Sequence, residues 1–217
     1  MIDSKLKIQM KTIDIENWNR KEHYEFFSKM ANPYFGIVSE VDCTNAYLKS
    51  KELSLSFFAH YLHKSMIAVN SLEEFRSRIV DNEIVVFDKI NAGATIDRAD
   101  GTFAFIYVNF HADFEAFNKE LQTEIANVKS STGLRLNDDH MKKDLIRHST
   151  LPWYTFSGLL HPTNFNKDES VPKITFGKYS IRGDRKFLPI SIEAHHGLVD
   201  GLHIAQYLQE FQRQLNL

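Results

Sequence analysis

The stretch E-A-H-H-G-L-V-D-G-L-H, Glu193–His203, is the most informative segment of this 217-residue sequence. It follows the apolar run F-L-P-I-S-I, which predicts a β-strand, and it leads into the periodic segment 201–215, which predicts a helix. Successive side chains on a strand point to opposite faces, so His195 and His196 are expected to face opposite ways. Asp200 precedes the helix and is a candidate N-cap. The segment is therefore predicted to be a strand-to-helix corner that carries titratable rings.

The composition limits the classes of protein that the chain can represent. Hydrophobic residues make up 43% and charged residues 25% of the chain, which is typical of a globular protein. The net charge of -2 gives no positive excess for nucleic acid or an anionic membrane surface. The sequence has no apolar run of about 18 residues and no secretory signal. A single cysteine, Cys43, fits a reducing compartment. We therefore predict a cytoplasmic protein with no nucleic-acid or membrane partner.

The order of the predicted elements indicates one domain. Helices and strands are mixed without strict alternation, which favours an α/β two-layer sandwich with a mixed β-sheet over a Rossmann fold. No Gly/Ser/Pro-rich linker or repeat divides the chain, so residues 1–217 are predicted to form a single domain, with residues 1–12 as an N-terminal extension. Predicted helices cover 19–30, 54–70, 72–79, 112–129 and 201–215. Predicted strands cover 34–44, 83–90, 102–110, 151–156, 173–181 and 186–195. The segment 91–101 separates two of these strands and has turn chemistry at Asp100-Gly101, and 131–144 is predicted as a polar loop.

Several common catalytic and ligand-binding motifs do not occur in the sequence. It has no G-x-G-x-x-G and no G-x-x-x-x-G-K-[ST], so the glycine loops of nucleotide sites are missing. It also has no H-E-x-x-H and no G-x-S-x-G. His60 and His63 have the helical spacing of a metal pair, but no acidic residue stands close by, and we predict an ordinary helix surface without metal.

Three other stretches accompany the histidine pair: N-W-N-R-K-E-H at 17–23, S-T-L-P-W at 149–153 and T-F-G-K-Y at 175–179. With these and H-H-G-L-V-D-G at 195–201, the sequence resembles the chloramphenicol acetyltransferases, which are acyl-CoA-dependent O-acetyltransferases. The resemblance extends from about residue 13 to the C-terminus. The shorter H-x-x-x-D-G is shared with the acyltransferase domains of 2-oxo acid dehydrogenase complexes. The resemblance implies the CoA-dependent acyltransferase fold.

The resemblance also implies roles for four catalytic residues. His196 is expected to be the general base that takes the proton of an acceptor hydroxyl as its oxygen attacks the acetyl-CoA thioester. Acetyl-CoA is then a co-substrate, and no cofactor is permanently bound. Ser149 is expected to stabilise the oxyanion. Asp200 is expected to pair with Arg20 and hold the corner in shape, rather than to act in a catalytic triad.

The resemblance further implies binding residues and an assembly. Thr175 and Tyr179 match positions on the CoA side, and Lys178 is placed to meet a CoA phosphate, although a solvated lysine is an equally good interpretation. Three phenylalanines match the aromatic acceptor pocket, with the hydrophobic core as an even alternative for each: Phe27, Phe35 and Phe103. The family forms homotrimers with active sites between subunits, and a homotrimer is expected here.

Departures from the resistance enzymes cluster around the predicted acceptor site. The chain reads A-N-P-Y at 31–34, and the segment after L-P-W-Y-T-F is one residue short. Arg147 and His148 are expected to bring charge and a second titratable ring close to Ser149. The leading hypothesis is chloramphenicol O-acetylation. The alternatives are the same chemistry on another hydroxyl or thiol acceptor, and a non-catalytic aromatic-pocket binding protein. His203 is expected to be a surface or interface residue.

Overall fold

A mixed β-sheet with helices on one face forms the body of the protein. The computed structural model describes residues 10–136, 142–163 and 168–217. The strands are β1 (Met10–Thr12), β2 (Tyr34–Asp42), β3 (Ser77–Val80), β4 (Glu83–Phe87), β5 (Asn91–Asp97), β6 (Phe103–Val108), β7 (Leu145–Leu151), β8 (Lys173–Gly177), β9 (Ser180–Arg182) and β10 (Arg185–His195). The helices are α1 (Lys21–Phe27), α2 (Thr44–Glu52), α3 (Phe57–Asn70), α4 (Glu73–Arg76), α5 (Phe114–Lys129) and α6 (Gly201–Leu215).

The main sheet has the strand order β2-β10-β8-β7-β5-β6, and β9 pairs with one end of β10. Strand β7 is parallel to β5 and to β8, whereas the other pairs in this sheet are antiparallel. Strands β2 and β10 pair over nine positions, from Phe187 opposite Asp42 to His195 opposite Tyr34. The predicted α/β class with a mixed sheet is therefore confirmed.

The two faces of the main sheet have different environments. Phe176 on β8 is fully buried and packs against Tyr61 of α3 and Phe211 of α6, so this face carries the helical layer. Strand alternation places Phe103 and Phe105 of β6 on the opposite face, where both are partly exposed. We call the face opposite the helices the outer face; Arg147, Ser149 and Thr175 also lie on it.

A second, antiparallel sheet has the order β1-β4-β3. Met10–Thr12 lies inside the predicted N-terminal extension, yet it pairs with β4 through the register Met10 opposite Phe87. The predicted helix at 72–79 is wrong in its second half. Only Glu73–Arg76 is helical, and Ser77–Val80 is strand β3, because its backbone bonds go to β4.

Three other elements of the prediction need correction. The turn expected at Asp100-Gly101 is confirmed, with Gly101 at a φ of 82°. The rest of the segment 91–101 contains β5, which was not predicted, because its small residues carry little strand propensity and are held by β6 and β7 on either side. The strand expected at 151–156 ends at Leu151, because Pro152 has no N–H for a ladder. Helix α2 was not predicted, because it has no apolar stripe that would reveal it: its buried residues are Ala46 and Ser50. Residues 137–141 of the loop predicted at 131–144 lie outside the described residues.

His60 and His63 are not on a helix surface. They are 5% and 3% exposed, and burial lowers the pKa of His60 to about 4. The residues described by the structure contain no group of three or more metal-ligating side chains. Among the same residues, no helix has the length and apolar character that crossing a bilayer requires.

Candidate active site

The corner between β10 and α6 is held by backbone hydrogen bonds. Leu198 N and Val199 N both donate to His195 O at 3.0 Å, and His196 N donates to Pro33 O at 2.8 Å. Helix α6 begins as predicted, with Asp200 as its N-cap and Leu202 N donating to Asp200 Oδ1 at 3.0 Å. The position of the His196 ring is therefore fixed by the chain on both sides of it.

The two adjacent histidines have different environments. His195 is 2% exposed, and its Nδ1 accepts a hydrogen bond from Gly197 N at 3.1 Å. Burial lowers the pKa of His195 to about 4, so this ring is neutral near pH 7. A Cβ on Gly197 would lie 3.0 Å from Tyr24 Cα, which explains why the chain needs glycine beside the ring. His195 therefore has a structural role.

The His196 ring is half-buried between two aromatic rings. Its centroid is 3.9 Å from that of Phe27 and 4.2 Å from that of Phe35, and both pairs are stacked. Its Nδ1 lies 3.3 Å from Val199 O. A carbonyl oxygen only accepts, so Nδ1 carries the proton of the neutral ring and Nε2 keeps a lone pair. This arrangement suits a general base that receives a proton at Nε2.

Arg20 and Asp200 form an ion pair beneath this corner. Arg20 Nη1 donates to Asp200 Oδ2 at 2.6 Å, with side-chain exposures of 11% and 28%. Arg20 Nη2 also lies 3.4 Å from His196 O. Burial on its own raises the pKa of Asp200, but the Arg20 hydrogen bond and the charges of His203 and Arg20 hold that pKa below its ordinary value. Arg20 itself is the N-cap residue of α1, one position before the helical turn where it was expected.

His203 is part of the same corner, contrary to the expectation of a surface residue. It is 7% exposed, and its Nδ1 accepts a hydrogen bond from Asp200 N at 3.0 Å, which completes a capping box. Its Nε2 lies 3.5 Å from Glu74 Oε1. The ring therefore stabilises the start of α6 and contacts α4.

Ser149 lies elsewhere, at a cavity of about 720 Å³ on the outer face of the sheet. Phe103, which is 46% exposed, lines the same cavity. Other lining residues include Thr95, Phe105, Arg147 and His161. A smaller cavity of about 650 Å³ lies beside Phe35 and is lined by Tyr34, Ser191, His161 and Glu193.

The strand register separates Ser149 from His196 within one chain. Ser149 is opposite Thr175, and Thr175 is opposite Ser191, so two strand spacings separate Ser149 from β10. His195 is four residues beyond Ser191. With about 4.8 Å between strands and about 3.3 Å per residue, the Cα atoms of Ser149 and His195 are about 16 Å apart. The structure thus places Ser149 and His196, which directly follows His195, at different sites of the chain.

Of the two residues that precede Ser149, only Arg147 shares its face. Arg147 Nη1 donates to Glu169 Oε1 at 3.0 Å. The His148 ring points into the core, where it stacks against Phe176, and burial lowers its pKa to about 4. The expectation of a titratable ring beside Ser149 is therefore wrong for His148.

The predicted CoA-side residues occupy three environments. Tyr179 packs against Tyr47 and Phe57, with ring centroids 5.3 and 6.2 Å apart, and a hydrogen bond with Tyr47 is the main cause of its raised pKa. Lys178 is exposed. Thr175 is 1% exposed, and its hydroxyl lies 2.6 Å from His161 Nε2.

The sequence pattern did not single out His161 or Glu193, although they form a close pair. His161 Nδ1 lies 2.8 Å from Glu193 Oε1, and His161 N donates to the same oxygen at 3.2 Å. The available signal was the strand period, since Glu193 is two residues before His195 and shares its face. His161 follows the predicted strand in a segment without periodicity, so no pattern could have linked it to Glu193.

Comparison with known proteins gives a consistent result. The family model described as chloramphenicol acetyltransferase matches residues 8–212. Chloramphenicol acetyltransferase of Proteus mirabilis is 29% identical over 215 residues, 95% of each chain. Chloramphenicol acetyltransferase 3 of Escherichia coli is 29% identical over 205 residues, 94% of this chain and 95% of the relative.

Solved structures extend the comparison to the fold. A chloramphenicol acetyltransferase structure superposes with a TM-score of 0.90 at 31% identity, and the match covers 95% of this chain and 100% of that chain. A probable dihydrolipoamide acetyltransferase from Listeria monocytogenes has a TM-score of 0.64 at 15% identity, covering 89% and 88% of the two chains, and shares the fold alone.

Proposed function

Because the chain belongs to the chloramphenicol acetyltransferase family, we propose that it transfers the acetyl group of acetyl-CoA to a hydroxyl of chloramphenicol, with His196 as the general base. The observation that carries the proposal is the state of the His196 ring. Its Nδ1 proton points at Val199 O, its faces are covered by Phe27 and Phe35, and Nε2 keeps a lone pair.

The chemistry balances without an acyl-enzyme. Nε2 of His196 takes the hydroxyl proton as the acceptor oxygen forms a bond to the thioester carbonyl carbon. The tetrahedral intermediate then breaks its carbon–sulfur bond, and the imidazolium returns the proton to the sulfur of CoA. The products are the O-acetyl ester and free CoA. Holding both substrates together supplies much of the rate enhancement.

We assign the oxyanion contact to Ser149 of a neighbouring subunit in a homotrimer. The separation of about 16 Å within one chain supports this assignment, since a hydroxyl must lie about 3 Å from the oxyanion that it stabilises. The exposed Phe103 and Phe105 on the outer face, next to the Ser149 cavity, are also suited to an interface. Phe27 and Phe35 then contribute to the acceptor site from the subunit that holds His196.

The CoA side of the proposal rests on Tyr179 and Lys178. Tyr179 belongs to an aromatic cluster with Tyr47 and Phe57, and Lys186 Nζ lies 5.7 Å from its ring centroid. An aromatic surface flanked by lysines suits an adenine ring and phosphates. A cytoplasmic location is also proposed, and the buried free thiol of Cys43 fits a reducing compartment.

A coupled assay tests the function. Purified protein is mixed with acetyl-CoA, a thiol indicator and chloramphenicol, and CoA release is followed. We expect release that requires chloramphenicol and that falls at least 1000-fold in His196→Ala, about the loss seen when a catalytic base is removed. His23→Ala is the matched control, because His23 is exposed on α1.

Two results would replace the proposal. If chloramphenicol gives no release but acetyl-CoA binds saturably, the acceptor is a different hydroxyl or thiol compound. If acetyl-CoA does not bind, the chain is a non-catalytic aromatic-pocket protein that keeps the fold.

A further inference from the structure

A carboxylate, an imidazole and a hydroxyl form a continuous chain beside the Ser149 cavity. Glu193 Oε1 lies 2.8 Å from His161 Nδ1, and His161 Nε2 lies 2.6 Å from Thr175 Oγ1. The side chains of His161 and Glu193 are 16% and 10% exposed, and Thr175 is 1% exposed. Each of these three side chains is therefore largely shielded from solvent and is hydrogen-bonded to another of the three.

The proton positions follow from what each group can donate. Burial on its own raises the pKa of Glu193, but hydrogen bonds from the His161 ring and backbone and the charge of Lys173 hold that pKa below its ordinary value. Glu193 is thus an acceptor only, and His161 Nδ1 carries a proton. In a neutral ring, Nε2 accepts the proton of the Thr175 hydroxyl. In an imidazolium, Nε2 donates to Thr175 Oγ1, and the hydroxyl proton is free to point elsewhere.

The hydroxyl of Thr175 is next to Ser149. The two residues are directly opposite in the parallel β7–β8 pair and share the outer face, so their Cβ atoms are about 5 Å apart. The His161 ring also lines the cavity that contains Ser149. In the described part of the sheet, two hydroxyl residues flank Thr175 along this rung, Ser149 on β7 and Ser191 on β10.

We propose that Glu193 and His161 are positioning residues for the oxyanion site, which turn the Thr175 hydroxyl toward Ser149 when the imidazole is protonated. The chain then runs in one direction: His161 donates to Thr175, Thr175 donates to Ser149, and Ser149 donates to the oxyanion. A donor that itself accepts a hydrogen bond is a stronger donor, and the pair of Glu193 and imidazolium adds no net charge. The inference rests on the proposed function, because it concerns the same intermediate.

Several charged groups lie around His161. Glu193 contacts the ring directly, and Lys173 Nζ donates to the neighbouring Pro162 O at 3.0 Å. Three other charged or titratable groups on this side interact electrostatically with Lys173 or with one another: Arg147, Glu169 and Tyr34. Loss of the Glu193 charge is thus expected to have the largest effect on the imidazolium.

The test compares the pH dependence of kcat in variants at saturating substrates. The relay needs a protonated His161 as its donor, so wild type is expected to lose activity at high pH. Glu193→Gln is expected to move the high-pH loss to lower pH, because a carboxylate within hydrogen-bond distance of the ring is removed. Thr175→Val is expected to lower kcat about tenfold and to abolish that high-pH loss, and Thr175→Ser should restore both.

Controls separate this role from a structural one. Glu169→Gln removes a carboxylate that pairs with Arg147 at 3.0 Å, and it should shift the high-pH loss far less than Glu193→Gln does. In the Thr175→Val background, Glu193→Gln should have no further effect on kcat, because both act through one hydroxyl.

Two kinds of failure are distinguishable. Wild-type protein that releases no CoA with any acceptor would refute the proposed acetyl transfer. Active wild-type protein whose high-pH loss is absent, or is unmoved by Glu193→Gln, would refute the relay alone. The relay would also be refuted if the losses of kcat in Glu193→Gln and Thr175→Val multiplied in the double variant.

Discussion

The Arg20–Asp200 ion pair provides the strongest test of how the corner works. Arg20→Ala leaves a partly buried carboxylate without its cation. Breaking a fully buried pair costs about 3–5 kcal/mol, but the Asp200 side chain is 28% exposed, so water compensates in part. We expect a loss of about 2 kcal/mol in the free energy of unfolding. For a chain of this length, that lowers Tm by about 4–8 °C.

Substitutions at Asp200 separate its two interactions. Asp200→Asn keeps an N-cap residue for α6 and removes only the charge, so it should cost about 1–2 kcal/mol. Asp200→Ala also removes the cap and should cost about 1 kcal/mol more. Because the pKa of Asp200 is held below its ordinary value, the contribution of the pair is present above about pH 4 and is lost as the pH falls through the folded value.

Urea unfolding of wild type and variants at one protein concentration, at pH 7 and in acid, gives these numbers. Hydrogen exchange at the amides of residues 196–200 reports the order of the corner, and CoA release reports kcat. We expect stability, protection and kcat to fall together in Arg20→Ala, and the difference in stability from wild type to shrink in acid. If Asp200→Asn abolished turnover with stability and protection unchanged, the carboxylate would act in the chemistry, and the reasoning would be wrong.

Further predictions concern two glycines, the buried His148 and the CoA side. Gly197→Ala should lower the free energy of unfolding by about 1–3 kcal/mol, because its Cβ would lie 3.0 Å from Tyr24 Cα. Gly201→Ala should raise it by about 0.5–1 kcal/mol, because the added Cβ meets nothing within 4 Å at the start of α6. Urea unfolding of the two variants measures both changes. Burial lowers the pKa of His148 to about 4, so the stability that its neutral ring contributes is fully present above about pH 6.5 and is lost as the pH falls toward 4. The free energy of unfolding of His148→Leu should therefore depend less steeply on pH between these values. An unchanged pH dependence would count against a neutral ring in the core. Lys178→Met should raise KM for acetyl-CoA about threefold with kcat unchanged, and equal KM values would leave Lys178 as a solvated lysine.

The corner could be predicted in detail because its signals are local. The alternation of 187–195 gave β10, Asp200 gave the start of α6, and both are confirmed. His203 was misplaced because its capping bond to Asp200 N depends on ring orientation, which spacing does not encode. Strand β5 was missed for a different reason, since its strand character comes from β6 and β7 rather than from its own residues.

The candidate site was less predictable than the fold because it is assembled from distant segments. Glu193 and His161 are 32 positions apart in sequence, and only the packing of 158–163 over β8 and β10 brings their side chains together. His148 and Arg147 were treated alike from the sequence, yet strand alternation places one in the core and the other on the outer face. Residue roles that depend on another subunit, such as that of Ser149, stay predictions.

The pairing of β2 with β10 also has a consequence for biosynthesis. Strand β2 ends at Asp42 and β10 begins at Arg185, so a ribosome must add the 142 residues 43–184 between them. At about 5–20 residues per second, β2 waits about 7–30 s for its partner. Throughout that interval, one edge of the emerging sheet offers free backbone groups to other chains. A nascent chain that is delayed or truncated before Arg185 should therefore depend on chaperones more strongly than the stability of the finished protein would suggest.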